Sequence, residues 1–294
     1  MRISAVMIVK NEEQMLSKCL DSIKDFVDEI VILDTGSLDN TIKIAKSYTD
    51  KVYQAQWEDD FAKARNKALD FTTWDIILSI DADEVLVLYA SKKDIITYIQ
   101  KNTWWCDKVW WANVLMDNWH WATNKFARIF GQWTKWVWKI HEYPIIWEKP
   151  FDISDMVKII YWRSPAHDLD LDLDFRILEG EYFSWKASHR DIFYYGRELY
   201  YKKLYNAAIC VLREYIESND TFYEQRTEAF YIIALCYWES SMWDSARDAC
   251  AIAITRNPHM RKAIKQMADM CYEREKKRWL EFLDWADNSG VLFT

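Results

Sequence analysis

A few short stretches of this chain carry side chains that could do chemistry. Asp81-Ala82-Asp83-Glu84 follows directly on the apolar run Ile76–Ile80. Two carboxylates two residues apart, at the end of a buried strand, would point at a shared ligand. Their hard oxygens suit Mg²⁺ or Mn²⁺, ions that hold phosphate oxygens at the same time. The plain alternative is a solvated acidic turn. Lys10-Asn11-Glu12 and Asp34-Thr35-Gly36-Ser37 end two further apolar runs, and Arg65 lies in a helical stretch between them and Asp81. His141, Glu142 and His167 lie in a Trp-rich middle region. A second acidic run, with Asp at 168, 170, 172 and 174, would line up like charges on one face of a strand. Alternatively, Asp172 or Asp174 caps a helix beginning near Phe175. This run is read as having no metal role.

The positioning elements are legible from periodicity. Ile3–Val9 reads as a buried strand, 11–26 as a helix (Met15, Leu16, Cys19, Leu20, Ile23 on one face) and Glu29–Leu33 as a second strand. A helix capped by Asp39 or Asn40 runs to Tyr48, a short strand covers Lys51–Tyr53, Phe61–Leu69 is helical, and Asp75–Ile80 is a strand. This βαβαβ order predicts a mostly parallel sheet covered by helices. Ligands of such sheets bind beyond the carboxyl ends of the strands, where the polar clusters fall.

Beyond residue 187 the pattern becomes wholly helical, so the expected domains are 1–187, α/β, and 188–294, all-α. The second contains a repeat. Around Ala246 stand Ala234, Tyr237, Ala253 and Pro258, with Phe230 at the early aromatic position. These offsets follow the tetratricopeptide helix–turn–helix pattern. An earlier copy pairs Gly196 with Ala234 and Ala208 with Ala246, and a degraded third places Ala268 at the small position and Leu280 where Ala is expected. Stacked repeats form concave surfaces, so the tail is expected to bind a peptide or partner, or to mediate self-association.

Composition narrows the classes. The 294 residues are 51% hydrophobic, enough for real cores, and carry a net charge of −8. Nearly all of that charge lies before residue 188, and no basic stripe is present, so nucleic acid is not an expected partner. No apolar run approaches the roughly 18–20 residues of a membrane span. The run after Met1-Arg2 is too short for a signal peptide, and a cytoplasmic location is expected. The six Cys form no CxxC pair; Cys19, Cys210, Cys236 and Cys250 read as buried free thiols.

Four ordered segments give a resemblance. MIVKNEE at 7–13, DEIVILDTGSLDNT at 28–41, FAKARNKAL at 61–69 and IDADE at 80–84 together resemble the family 2 glycosyltransferases, which have the Rossmann-like GT-A fold. The resemblance covers 1–165 most strongly, and one branch of that family carries a repeat tail. It implies a nucleotide-sugar donor, UDP-linked, a divalent metal (Mn²⁺ or Mg²⁺), and in-line displacement with inversion to a protein, peptide or glycan acceptor. Under it, Asp34 accepts from the uracil imide, and Ser37 and Asp39 shape that loop. Asn11 and Glu12 line the nucleoside site, Arg65 approaches the base or diphosphate, Asp81 contacts the ribose or metal, and Asp83 ligates the metal. Glu142, in Lys-Ile-His-Glu, is the candidate base, with Glu84 its rival. His141 and His167 are candidates for the metal or the diphosphate.

Eighteen Trp against five Gly is unusual. Trp119, Trp121, Trp133, Trp138 and Trp162 stand where this family has Gly or a small turn residue. Two readings stay open: an aromatic cleft that stacks on sugars, or UGA codons that another genetic code reads as Gly. UGG codons at these positions would contradict the second. Two rival functions also stay open. A nucleotidyltransferase would need a Gly-rich basic loop after the first strand, which VKNEE is not. A non-catalytic repeat scaffold would carry only a vestigial nucleotide-sugar site.

Overall fold

A computed structural model describes residues 1–73, 75–103, 111–117, 123–131, 133–145, 151–218 and 222–288. Trp119, His120, Trp121 and Cys106 lie outside the described residues. The chain divides into two compact units, Met1–Leu171 and Asp172–Thr294.

In the first unit, β1 (Ile3–Val9), α1 (Leu16–Ile23), β2 (Glu29–Asp34), α2 (Thr41–Lys46), β3 (Val52–Gln54), α3 (Phe61–Leu69) and β4 (Ile76–Ser79) follow the expected order. Then come β5 (Glu84–Leu88), α4 (Lys92–Thr103), β6 (Trp111–Asp117), β7 (Thr123–Gly131), β8 (Trp136–Val137), β9 (Tyr143–Pro144), β10 (Phe151–Asp152) and β11 (Val157–Tyr161). The main sheet runs β3-β2-β1-β4-β7-β6-β11-β5, with β10 beside β6. β3, β2, β1 and β4 are mutually parallel, whereas β7 joins antiparallel to β4 and to β6.

Period-two burial explains the layers. Ile3, Ala5, Met7 and Val9 of β1 pack with Leu16, Cys19, Leu20 and Ile23 of α1, while Val6 joins Ala62 and Ala68 of α3 in a separate core. Both faces of the central strands are therefore covered, and β2 is buried throughout. The first helix starts later than its apolar spacing suggests. Asn11 takes a left-handed φ of 57°, and the Glu12 carbonyl accepts from the N–H groups of Met15 and Leu16 in a turn before α1 begins.

The helical unit comprises α5 (Leu173–Phe183), α6 (His189–Tyr201), α7 (Tyr205–Glu217), α8 (Tyr223–Glu239), α9 (Trp243–Arg256), α10 (Arg261–Asp269) and α11 (Glu273–Asn288). The unit begins at 172, not 188, because α5 packs on α6. α6–α7, α8–α9 and α10–α11 form hairpins with short connectors. Gly196 pairs by position with Ala234, and Ala208 with Ala246; all four are buried. The left-handed residues Lys203 (φ 61°) and Ser241 (φ 60°) recur at the same 38-residue spacing. A Cβ built on Gly196 would lie 2.6 Å from Leu212 Cδ2, so this glycine permits the close α6–α7 approach. Leu280 is 44% exposed, so the third copy does not bury the position where Ala was expected.

The exposure of Cys210 corrects one sequence expectation, and the acidic run and Trp138 each bear on readings left open. The acidic run is not a strand: Asp168 ends a 3₁₀ turn and pairs with Arg163, while Asp172 is the N-cap of α5 and pairs with Lys202. Cys210 is exposed, whereas Cys19, Cys236 and Cys250 are buried thiols. Trp138 has φ 69°, a conformation that costs a bulky residue free energy and suits Gly. No helix among the described residues is long and apolar enough to cross a membrane.

Candidate active site

The parallel register sets Val9 beside Asp34 and Val6 beside Ser79, so the loops after β1, β2 and β4 emerge together. The first two loops are tied to each other. Asn11 N–H donates to Ser37 Oγ (2.9 Å), and Leu38 N–H donates back to Asn11 Oδ1 (2.8 Å). Glu12 N–H donates to Thr41 Oγ1 (2.7 Å), and Glu13 N–H to Asp39 Oδ2 (3.1 Å). Asp39 Oδ1 also accepts from the Thr41 N–H at the start of α2. Asn11, Ser37 and Asp39 thus fix the shape of this edge through their hydrogen bonds.

Asp34 is fully buried. Its Oδ1 accepts from the N–H groups of Gly36 (3.0 Å) and Ser37 (3.1 Å); its Oδ2 has no partner among the described residues. Gly36 at φ 111° lets the backbone turn under the carboxylate. A buried acceptor left without a donor carries a desolvation cost that a donor on a ligand would offset.

The acidic segment after β4 meets two arginines. Arg65 of α3 donates from Nη1 to Asp81 Oδ1 (2.9 Å) and from Nε to Glu142 Oε1 (2.6 Å). Arg128 of β7 reaches Asp81 Oδ2 from Nη1 (3.3 Å) and Nη2 (3.2 Å), and its Nη2 also donates to Glu84 Oε1. Glu84 Oε2 accepts from the Asp81 N–H (2.9 Å). Both carboxylate oxygens of Asp81 and both of Glu84 are therefore engaged. Burial disfavours the Asp81 charge, but the guanidinium charges of Arg65 and Arg128 outweigh it and hold the carboxyl well below the usual range. Glu84 goes the other way. Burial, against the pull of Arg128, pushes it up to about 8.

On the opposite side, Asp83 Oδ2 lies 3.0 Å from His167 Nε2, and this contact raises the imidazole pKa against the effect of burial. The Asp83 carbonyl accepts from the Trp162 N–H (2.8 Å). Glu12 Oε2 accepts from Ser164 Oγ (2.7 Å); burial pushes Glu12 up to about 7 despite that bond. The segment 162–167 is thereby anchored to the ends of β1 and β4.

The Glycosyl transferase family 2 model matches residues 4–157, more than half of the chain. The chain belongs to glycosyl transferase family 2. Among curated relatives, glycosyltransferase SunS, encoded by the SPbeta prophage of Bacillus subtilis, is 27% identical over 263 residues, covering 80% of this chain and 58% of its own length. A TPR repeat-containing protein of Synechococcus elongatus is 48% identical over 89 residues, 30% of this chain and 22% of its own length. This family 2 chain thus spans less than two thirds of either relative. Among solved structures, glucosyl-3-phosphoglycerate synthase from Mycobacterium tuberculosis, in complex with Mg²⁺ and UDP, is similar at a TM-score of 0.31 and 22% identity, covering 39% of this chain and 43% of that one. PilF of Pseudomonas aeruginosa is similar at 0.36 and 24%, covering 43% and 56%.

In this family 2 chain, one network gathers Arg65, Asp81, Glu84 and Glu142; Asp83 with His167 and Glu12 with Ser164 adjoin it. His141 lies in the β8–β9 turn beside Glu142, with φ 51°. Arg128 and Ser164 escaped the sequence reading. The signal for Arg128 was available: a cation inside the apolar strand stretch Phe126–Phe130 needs a buried counter-charge. Ser164 had no signal beyond its place before Pro165.

The family implies a divalent cation. No group of three or more His, Cys, Asp or Glu among the described residues forms a cation shell. The fit is instead a two-ligand one. Asp83 Oδ2 and His167 Nε2, now hydrogen-bonded to each other at 3.0 Å, would hold the cation in place of that bond, and diphosphate oxygens and water would complete its shell. Asp81 was also expected as a ligand, but both of its oxygens already accept from Arg65 and Arg128.

Proposed function

We propose that the Met1–Leu171 unit transfers a sugar from a UDP-linked donor to a hydroxyl or similar nucleophile on a protein, peptide or glycan acceptor. The observation that carries this reading is the buried, unpartnered Oδ2 of Asp34 at the carboxyl end of β2. It is an acceptor in want of an N–H, and a uracil imide supplies one. Asp83, with His167, stands beyond β1 at the end of β4, where a diphosphate would follow the nucleoside. A divalent cation bound there would neutralise charge growing on the departing UDP.

The chain's own residues do the rest by positioning and charge. Arg65 holds Glu142 through Oε1, leaving its Oε2 without a partner among the described residues and able to take the acceptor's proton. Glu84 fits that task less well, because Arg128 and the Asp81 N–H occupy both its oxygens. In-line attack at the anomeric carbon, with inversion, follows the family pattern. The repeat unit is assigned to holding the acceptor or a protein partner.

Calorimetry with UDP and Mn²⁺ tests the donor assignment. Asp34→Asn keeps an oxygen for the Gly36 and Ser37 N–H groups but loses the second acceptor, so UDP affinity should fall about tenfold or more, as for a charged hydrogen bond. Equal UDP binding by the variant, or none by the wild type, overturns the assignment.

A further inference from the structure

Three acidic side chains, Asp81, Asp83 and Glu84, fall within four residues at the end of β4. Left alone, such a cluster would attract cations without selecting where one sits. Arg128 changes that. It arrives from β7, a strand antiparallel to β4, and its guanidinium bridges Asp81 Oδ2 and Glu84 Oε1. Its side chain is 14% exposed and that of Glu84 only 2%, so the contact is shielded from water and salt. Arg65 takes the other oxygen of Asp81. Among the described residues, Asp83 is the one member of the cluster that touches neither arginine, and its carboxylate faces His167.

We propose that Arg128 is a positioning residue that acts as a built-in counter-cation. It neutralises Asp81 and orients Glu84, so that the acidic strand end offers a single place, Asp83 with His167, to a free divalent cation. The proposal rests on the metal-assisted transfer reading, but its first test does not require transfer.

The decisive property is a sign. A residue that only supported the fold would, when removed, loosen the site and weaken cation binding. Removing a counter-cation instead frees Oδ2 of Asp81 as a ligand and leaves that carboxylate less compensated, so cation binding tightens. Arginine and lysine also separate the two parts of the role. Lysine keeps the charge but is a point donor that cannot bridge two carboxylates as a planar fork does.

Mn²⁺ titration of the full chain, with free ion counted by electron paramagnetic resonance, reads this directly in Arg128→Ala and Arg128→Lys, with circular dichroism as the fold control. Arg128→Ala should bind Mn²⁺ about threefold tighter or more, or take up a second ion, while UDP-sugar turnover falls about tenfold to a hundredfold. Arg128→Lys should keep the wild-type Mn²⁺ stoichiometry and affinity and still lose turnover, by about tenfold. Weaker Mn²⁺ binding by a folded Arg128→Ala protein would overturn the proposal. So would wild-type behaviour of that variant in both assays. If Arg128→Ala does not fold, the lysine variant decides: wild-type turnover overturns the bridging role, and altered Mn²⁺ stoichiometry overturns the charge role. A wild-type chain that releases UDP from no donor defeats the transfer reading alone, because the Mn²⁺ titration still reports on Arg128.

Discussion

Glu12 is a carboxyl whose protonation is coupled to the shape of the site. Its burial pushes its pKa up to about 7, whereas an unfolded chain would titrate near 4.5. Between those values the folded state binds more protons than the unfolded one, so stability falls as pH rises across that window and is level outside it. Glu12→Gln removes this slope and keeps a partner for Ser164 Oγ. The variant's thermal midpoint should therefore change less than the wild type's between pH 5 and pH 8, and at pH 8 it should be the higher of the two. A slope identical to the wild type's would show that Glu12 is not the group responsible. At this scale the sequence was informative where a residue type has few uses. Asp34 ends β2 and Arg65 lies in α3, while Asp83 and Glu142 lie in the turns after β4 and before β9. It was silent on partners: nothing in the spacing says that Asp81 belongs to two guanidiniums, because Arg65 and Arg128 reach it from other elements.

Elements were legible wherever a period was strong, and boundaries failed where a backbone angle intervened. The helix expected from residue 11 begins at Leu16 because Asn11 turns left-handed. The Trp anomalies belong to this scale as well. Trp138 at φ 69° and Trp185 at φ 59° hold a conformation that costs a non-Gly residue about 1–2 kcal/mol. Trp185 follows the C-cap of α5, where Gly is favoured, and is 96% exposed, so it has almost no packing to lose. Trp185→Gly should raise the thermal midpoint by several degrees and Trp185→Ala by less, since Ala keeps the Cβ; scanning calorimetry of both compares them. Equal effects of Gly and Ala would assign the change to the indole rather than to the backbone. The opposite change applies in the repeat. Gly196→Ala gains helix propensity but forces a Cβ to 2.6 Å from Leu212, and overpacking of this kind costs about 1–3 kcal/mol. Chemical denaturation should show net destabilisation of the helical unit, and a neutral outcome would mean that α6 and α7 separate readily.

For the molecule, the order of elements fixed the class early: alternating strands and helices, then helices alone. The domain limit was misplaced because α5 follows a polar stretch without a strong period, and only its packing on α6 shows which unit it belongs to. The antiparallel half of the sheet was less legible still, since β6, β7 and β11 draw on the Trp-rich middle of the chain, where periodicity is obscured. The proposed UDP-sugar site rests on Asp34, which ends β2, and Asp83, which follows β4, in the parallel half of that sheet. Its most direct test is release of UDP from a panel of UDP-sugars with Mn²⁺ or Mg²⁺, comparing the wild type with Asp83→Ala. Metal-dependent release from at least one donor is expected of the wild type, reduced a hundredfold or so in the variant. Equal release by the two proteins, or no release by the wild type together with no metal-dependent UDP binding, would contradict it.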